Sequence, residues 1–156
     1  MVLPDVITFS ATISACEKGS AWAVALAVLQ GVTHSGLPPN LQCYSTAINA
    51  CGKSSQWRRA LSLFGEVPAR GLLPDAITCN ATISACSRGQ QWQWSLELLK
   101  RMQDGGPSPN MVSYSAAISA CERGQQWSHA LHLFSEMHDV ALAPNVVAYN
   151  ATISAC

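Results

Sequence analysis

Charge is scarce in this sequence. Only 12% of its 156 residues are charged, and nine basic residues balance nine acidic ones. With no net charge there is no strong general field for polyanions, so any nucleic-acid role must rest on where the charges sit. Long apolar runs are missing too: none approaches the ~18 residues that a membrane span needs. The opening, MVLPDVITFSA, has neither the basic flank nor the apolar core of a signal peptide, and it is not an Arg-rich transit segment. Disorder is excluded by the 49% of hydrophobic residues, because disorder needs few apolar residues and high net charge. Motifs of chemistry are absent as well: no phosphate-binding glycine loop, no H-E-x-x-H, no G-x-S-x-G and no C-x-x-C pair. His129 and His132, with His138 further on, lack converging ligands and read as a solvated helix face. Cys79 and Cys86 are seven apart on one helix, ~10.5 Å at 1.5 Å per residue, so they do not share a zinc. The acidic residues are scattered and offer no pair for acid–base work. The sequence implies no enzyme, no metal and no cofactor.

What the sequence has is repetition, and it governs the chain. Proline recurs at Pro4, Pro39, Pro74, Pro109 and Pro144, followed by Asp5, Asn40, Asp75, Asn110 and Asn145. Tryptophan recurs at Trp22, Trp57, Trp92 and Trp127, and ATISAC (11–16) returns as TAINAC, ATISAC, AAISAC and ATISAC. Every marker keeps a spacing of 35 residues without an insertion. The array divides into units 6–40, 41–75, 76–110 and 111–145 and a stump, 146–156. Five of the seven cysteines share the period, at Cys16, Cys51, Cys86, Cys121 and Cys156. Equivalent points on stacked helices lie ~8–10 Å apart, beyond the ~7 Å reach of a disulfide, so these read as buried free thiols in a reducing compartment.

Each unit reads as two helices. Phe9, Ile13 and Cys16 form one apolar face of the first, repeated by Tyr114, Ile118 and Cys121. Ala11, Ala15, Ala116 and Ala120 let a neighbouring helix approach. Gly19, Gly89 and Gly124 stand where a helix C-cap wants glycine. The second helix opens at the tryptophan, which packs between units, and Ala130, Leu131, Leu133 and Phe134 typify its apolar face. Pro68 should end its helix early. Asp or Asn after each proline is a strong N-cap for the next unit. A lone helix pair cannot bury its apolar face, so the units must stack into an all-α, right-handed solenoid filling residues 1–156. The last unit stops after one helix, which leaves Tyr149, Ile153 and Cys156 uncovered. No polar cap is visible, so the sequence reads as part of a longer array. Trp94, outside the period, reads as a partly exposed surface aromatic.

The polar side of the first helix carries ladders. Six residues beyond each proline stand Ser10, Ser45, Asn80, Ser115 and Asn150; one turn on stand Ser14, Asn49, Ser84, Ser119 and Ser154. Lys18, Lys53, Arg88 and Arg123 add one cation per unit. A polar rung and a positive rung per unit suit a single-stranded polyanion with one base and one phosphate per step. The same cation also complements a helix dipole, and the Asp or Asn also serves as a cap alone. The rival from another class is a protein-interaction scaffold, but a peptide groove would show apolar or aromatic pockets rather than Ser, Asn and a cation.

A 35-residue helix pair ending in P-[DN] and followed by V-x-[ST]-[YF]-[SN], as in VITFS (6–10), resembles the pentatricopeptide repeat family in its 35-residue P-type form. The tetratricopeptide repeat differs: its period is 34, and its W-x-x-L-G-x-x-Y pattern is missing here. The resemblance implies sequence-selective binding of single-stranded RNA, one nucleotide per repeat, with two side chains reading each base. On the matching positions Ser10 would work with Asn40, Ser45 with Asp75, Asn80 with Asn110 and Ser115 with Asn145; Asn150 would begin a fifth reading. Hydroxyl with Asn resembles the family's adenine combination, hydroxyl with Asp its guanine one, and Asn with Asn a pyrimidine reader. The implied preference is A-G-(C/U)-A, read from the amino-terminal unit at the 5′ end. Ile7, Ile77, Val112 and Val147 match the side chains that clamp each base in the family, and Gln42 breaks that pattern. Lys18, Lys53, Arg88 and Arg123 would face phosphates. The resemblance further implies RNA stabilisation, processing, editing or translation in mitochondria or chloroplasts, with neither DNA nor membrane as partner.

Overall fold

A computed structural model describes residues 6–19, 21–36 and 38–156, without the side chains of Val6, Ile7, Phe9, Ser10 and Lys18. Among the described residues every regular element is an α-helix: α1 (Val6–Lys18), α2 (Trp22–His34), α3 (Leu41–Lys53), α4 (Trp57–Ala69), α5 (Ala76–Arg88), α6 (Trp92–Gln103), α7 (Met111–Arg123), α8 (Trp127–Asp139) and α9 (Val146–Ala155). The fold is an all-α solenoid. Among the described residues no helix is long and apolar enough to cross a membrane.

Asn40, Asp75, Asn110 and Asn145 start the odd-numbered helices from extended backbone. The side-chain oxygen of each accepts the amide three residues on, from Cys43 (3.0 Å), Thr78 (2.8 Å), Ser113 (3.1 Å) and Ala148 (2.8 Å). The even-numbered helices begin at their tryptophans with no side-chain cap. They are held by packing instead. Each even helix lies against its own odd partner and against the next odd helix, while α1, α3, α5, α7 and α9 stack in a row. Successive even helices stand further apart and meet only through long side chains, as where Arg59 of α4 lies over Trp22 of α2 and Trp92 of α6 meets His129 of α8.

Small residues make the odd row tight. Ala50, Ala85 and Ala120 are fully buried, and a Cβ built on Gly52 would stand 3.0 Å from that of Ala85. Ile13, Ile48, Ile83 and Ile118 fill the space behind them at 0% exposure, while Ile153, at the same place on α9, is 71% exposed. Tyr149 is exposed beside it, in edge contact with Phe134. Trp94 is partly exposed, as its place outside the period suggests.

One local expectation is refined and another corrected. Gly89 and Gly124 do cap α5 and α7, but not through left-handed backbone: their φ angles are −81° and −85°, and the positive φ falls one residue later, on Gln90 (58°) and Gln125 (55°). Glycine is required for another reason. A Cβ on Gly89 would sit 2.3 Å from Trp57, and one on Gly124 would sit 2.3 Å from Trp92. The tryptophan that opens one unit's second helix is seated against the end of the next unit's first helix.

Nor does Pro68 shorten α4, which runs to Ala69 and matches α2 and α8 at 13 residues. Near the C-terminus the missing N–H costs a single bond, the one to the carbonyl of Phe64, and the later amides still complete the last turn. Arg70 N donates to Glu66 O (3.0 Å), Gly71 N to Pro68 O (2.9 Å) and Leu72 N to Val67 O (3.1 Å).

All seven cysteines are reduced thiols. Burial pushes the Cys51, Cys79 and Cys121 thiols up to about 11 and that of Cys86 to about 12, from an ordinary 9.0. These groups favour the folded chain fully below pH 9. Between pH 9 and 11 the unfolded chain sheds protons that the folded chain retains, so stability falls as pH rises. Melting followed by circular dichroism should show this alkaline decline, and replacing Cys51, Cys86 and Cys121 with Ala should reduce its slope. An unchanged slope would mean that the thiols ionise as readily in the folded chain.

Candidate nucleic-acid interface

The odd helices carry the ladder residues, and stacking brings together side chains 30 residues apart. Asn80 Nδ2 donates to Asn110 Oδ1 (3.3 Å), and Ser115 Oγ donates to Asn145 Oδ1 (3.0 Å). Ser113 Oγ also donates to Asn80 Oδ1 (2.6 Å), fixing that amide's orientation. Ser45 behaves differently: its hydroxyl turns back to Gln42 O (3.1 Å) on its own helix rather than to Asp75. Asn150 is exposed on α9. The expected roles of Ile7, Ser10 and Lys18 fall on side chains outside the described residues, so Asn40 is described without its partner.

The caps leave a defined remainder of each Asp or Asn. In Asp75 the oxygen Oδ1 accepts from both Thr78 N (2.8 Å) and Thr78 Oγ1 (2.6 Å). In Asn110 the same oxygen takes Val112 N (3.0 Å) and Ser113 N (3.1 Å) besides the Asn80 amide (3.3 Å). What remains for a ligand is therefore a bare acceptor, Oδ2, on Asp75 and an NH2 donor on each Asn. Sequence spacing identifies these residues without showing that one atom of each is already committed.

Apolar residues flank these pairs in the open. Ile77, Val112 and Val147 are all at least half exposed, and Gln42 is exposed at the matching point of α3. Between α5, α7 and α9 a groove of about 290 Å³ gathers Val112 and Val147, the Ser115–Asn145 pair, and the cations Arg88 and Arg123. All three ladders converge there.

The cations are not equivalent. Lys53 Nζ lies 2.9 Å from Glu17 of the preceding unit, whereas Arg88 and Arg123 form no ion pair among the described residues. Periodicity accounts for the difference. The residue 36 positions before Lys53 is Glu17; before Arg88 it is Gly52, and before Arg123 it is Ser87. This offset of one period plus one residue was available in the sequence.

The tryptophans stand apart from the groove. Arg58 lies over Trp57 (4.6 Å), Arg59 over Trp22 (4.9 Å), and Trp92 meets His129 (5.3 Å). Among the described residues no three His, Cys, Asp or Glu side chains gather to hold a metal.

Comparison with known proteins adds three family models. The PPR repeat family matches residues 39–88 and 109–156, the pentatricopeptide repeat domain residues 2–54, and the PPR repeat residues 77–107. No curated protein matches the chain. Among solved structures, the chain is similar to the pentatricopeptide repeat protein PPR10 from maize, with 25% identity over 99% of this chain and a TM-score of 0.80. It is similar to PPR10 in complex with an 18-nt psaJ RNA element, at 21% identity over 98% of the chain with a TM-score of 0.84. The PPR domain of Arabidopsis thaliana protein-only RNase P 1, in complex with tRNA, matches at 16% identity over 92% of this chain and 76% of that one, with a TM-score of 0.80. The chain spans 22% of the PPR10 chains it matches.

Proposed function

This chain belongs to the pentatricopeptide repeat family, and from that premise we propose that it binds single-stranded RNA selectively, one nucleotide per helix pair. It acts by occupying its site rather than by catalysis. The setting proposed is organellar RNA, with stabilisation, processing, editing or translation as its use. The observation that carries the reading is the groove between α5, α7 and α9. There a hydrogen-bonded Ser115–Asn145 pair lies with two exposed valines and two arginines. A base held between Val112 and Val147 would meet the Asn145 amide on its edge, and its phosphates would meet Arg88 and Arg123. The RNA complexes of PPR10 and of the RNase P domain, which share this fold, support RNA as the ligand.

Fluorescence anisotropy with a mixed RNA oligomer pool at low salt tests this. Four phosphate contacts would give a slope of log K against log salt of roughly −3, from ~0.7 per contact on single strands. Arg123→Ala should flatten that slope by about 0.7. Lys53→Ala should flatten it less, because Lys53 must first leave Glu17. A slope near zero in the parent chain would remove the phosphate ladder, and binding of peptides in preference to RNA would favour the scaffold reading.

A further inference from the structure

The third unit breaks the period at one corner of the solenoid. Its neighbours carry, at matching positions, Tyr44 and Tyr114, Glu66 and Glu136, Arg70 and Val140, and Leu72 and Leu142. The third unit has Cys79, Arg101, Gly105 and Pro107 there. In the fourth unit these positions meet. Tyr114, Glu136, Val140 and Leu142 line one site with Pro109, and the Tyr114 hydroxyl donates to Glu136 Oε1 (3.1 Å). Tyr114 is buried there, and Leu142 packs against the core beside it. An aromatic ring and a leucine of the chain itself fill that corner.

Cys79, Gly105 and Pro107 supply neither. The matching corner of the third unit is an open apolar cavity of about 440 Å³, within the ~300–1,000 Å³ of small-molecule sites. Cys79, 4% exposed, lies at its floor. The walls are accessible: Leu73 is 87% exposed, and Phe64, Pro74 and Pro107 are each partly exposed. Among the residues that line it, Arg101 alone is charged, a cation where both neighbouring units have glutamate. Its Nε donates to Glu97 Oε1 (3.0 Å), which leaves the Nη hydrogens for another acceptor.

We propose that this corner binds a small aryl carboxylate, its ring standing where Tyr114 stands in the next unit and its carboxylate accepting from the Arg101 Nη groups. The ring lies against Phe64, Leu73, Pro74 and Pro107, whose flat apolar surfaces suit an aromatic face. The guanidinium selects an acid over an amine, because only the acid is an acceptor of opposite charge. The site shares no residue with the groove of Val112 and Asn145, so it stands independently of RNA binding.

An NMR amide-shift titration of the full chain with 3-phenylpropionate, hexanoate and 3-phenylpropylamine tests the site. 3-Phenylpropionate should bind saturably in the millimolar range, with the shifts centred on Leu73, Gly105 and Gly106. Hexanoate, without a ring, and the amine, without a carboxylate, should each bind at least about fivefold more weakly. Cys79→Tyr puts back the ring of both neighbouring units and should abolish binding. Pro107→Leu puts back their leucine and should do the same, which keeps the test open if Cys79→Tyr loses its helical circular dichroism. Arg101→Ala should remove the preference for the acid over the amine. The proposal is overturned by absent saturation with 3-phenylpropionate, by equal binding of the amine in the parent chain, or by undiminished binding in the folded filling variants. Shifts centred elsewhere on the solenoid would also overturn it.

Discussion

Gly89→Ala lowers the melting temperature by roughly 2–8 °C, from overpacking of ~1–3 kcal/mol less a small gain in helix propensity, at 2–4 °C per kcal/mol for a chain of this size. The added Cβ would stand 2.3 Å from Trp57 Cδ1 and 2.8 Å from its Cβ. The second contact decides the sign, since a Cβ is tied to its helix and cannot swing aside like a side-chain tip. Gly31→Ala is the control. It lies within α2 with nothing within 4 Å of its added Cβ, so it should stabilise by up to ~1 kcal/mol. In a Trp57→Ala background the cost at Gly89 should vanish. If Gly89→Ala melts with the parent, the tryptophan is not seated at that helix end.

The second large effect is on base choice. Asp75→Asn should move the second base from guanine toward adenine by roughly 5–150-fold, the ~1–3 kcal/mol carried by one bidentate contact. The cap keeps Oδ1 for Thr78, so the wild-type residue offers the ligand a bare acceptor that suits the donors on the guanine edge. An Asn in its place would cap through its oxygen and turn its NH2 outward, as the committed oxygens of Asn110 and Asn145 already imply. Stability should change little, because those Asn residues cap their helices equally well. Competition binding with four oligomers differing only at the second base reads the change. If parent and variant rank the four alike, Asp75 is a helix cap and the assigned reading frame fails.

Helix starts were legible because they rest on local chemistry repeated at a fixed interval: an Asn or Asp after proline, or a tryptophan after a turn. The burial of Ile48, Ile83 and Ile118 followed from the same period. What the period hid were relations between units. Gly89 looks like a helix stop along the chain, and only the stacked neighbour shows that Trp57 needs the space. Pro68 looks like a breaker until the amides after it are seen to complete the last turn. At the candidate site, the family resemblance paired Asn80 with Asn110 and Ser115 with Asn145, which the structure joins by hydrogen bonds. It did not show that the Ser45 hydroxyl turns back on its own helix or that Glu17 occupies Lys53. Both depend on which of several reachable partners a flexible side chain meets.

The seat of Trp57 on Gly89 and that of Trp92 on Gly124 each span 32 residues across a unit boundary. Peg and socket thus belong to different copies of one module: each unit carries its tryptophan three residues after the socket position, which is glycine at Gly19, Gly89 and Gly124 and serine at Ser54. Duplicating or dropping a whole module with a glycine socket restores a fitting joint, while adding one residue between peg and socket spoils a single joint. An ancestral array of this kind can change length in whole steps without redesigning any contact, and the uninterrupted 35-residue spacing of this sequence is the record such a history would leave.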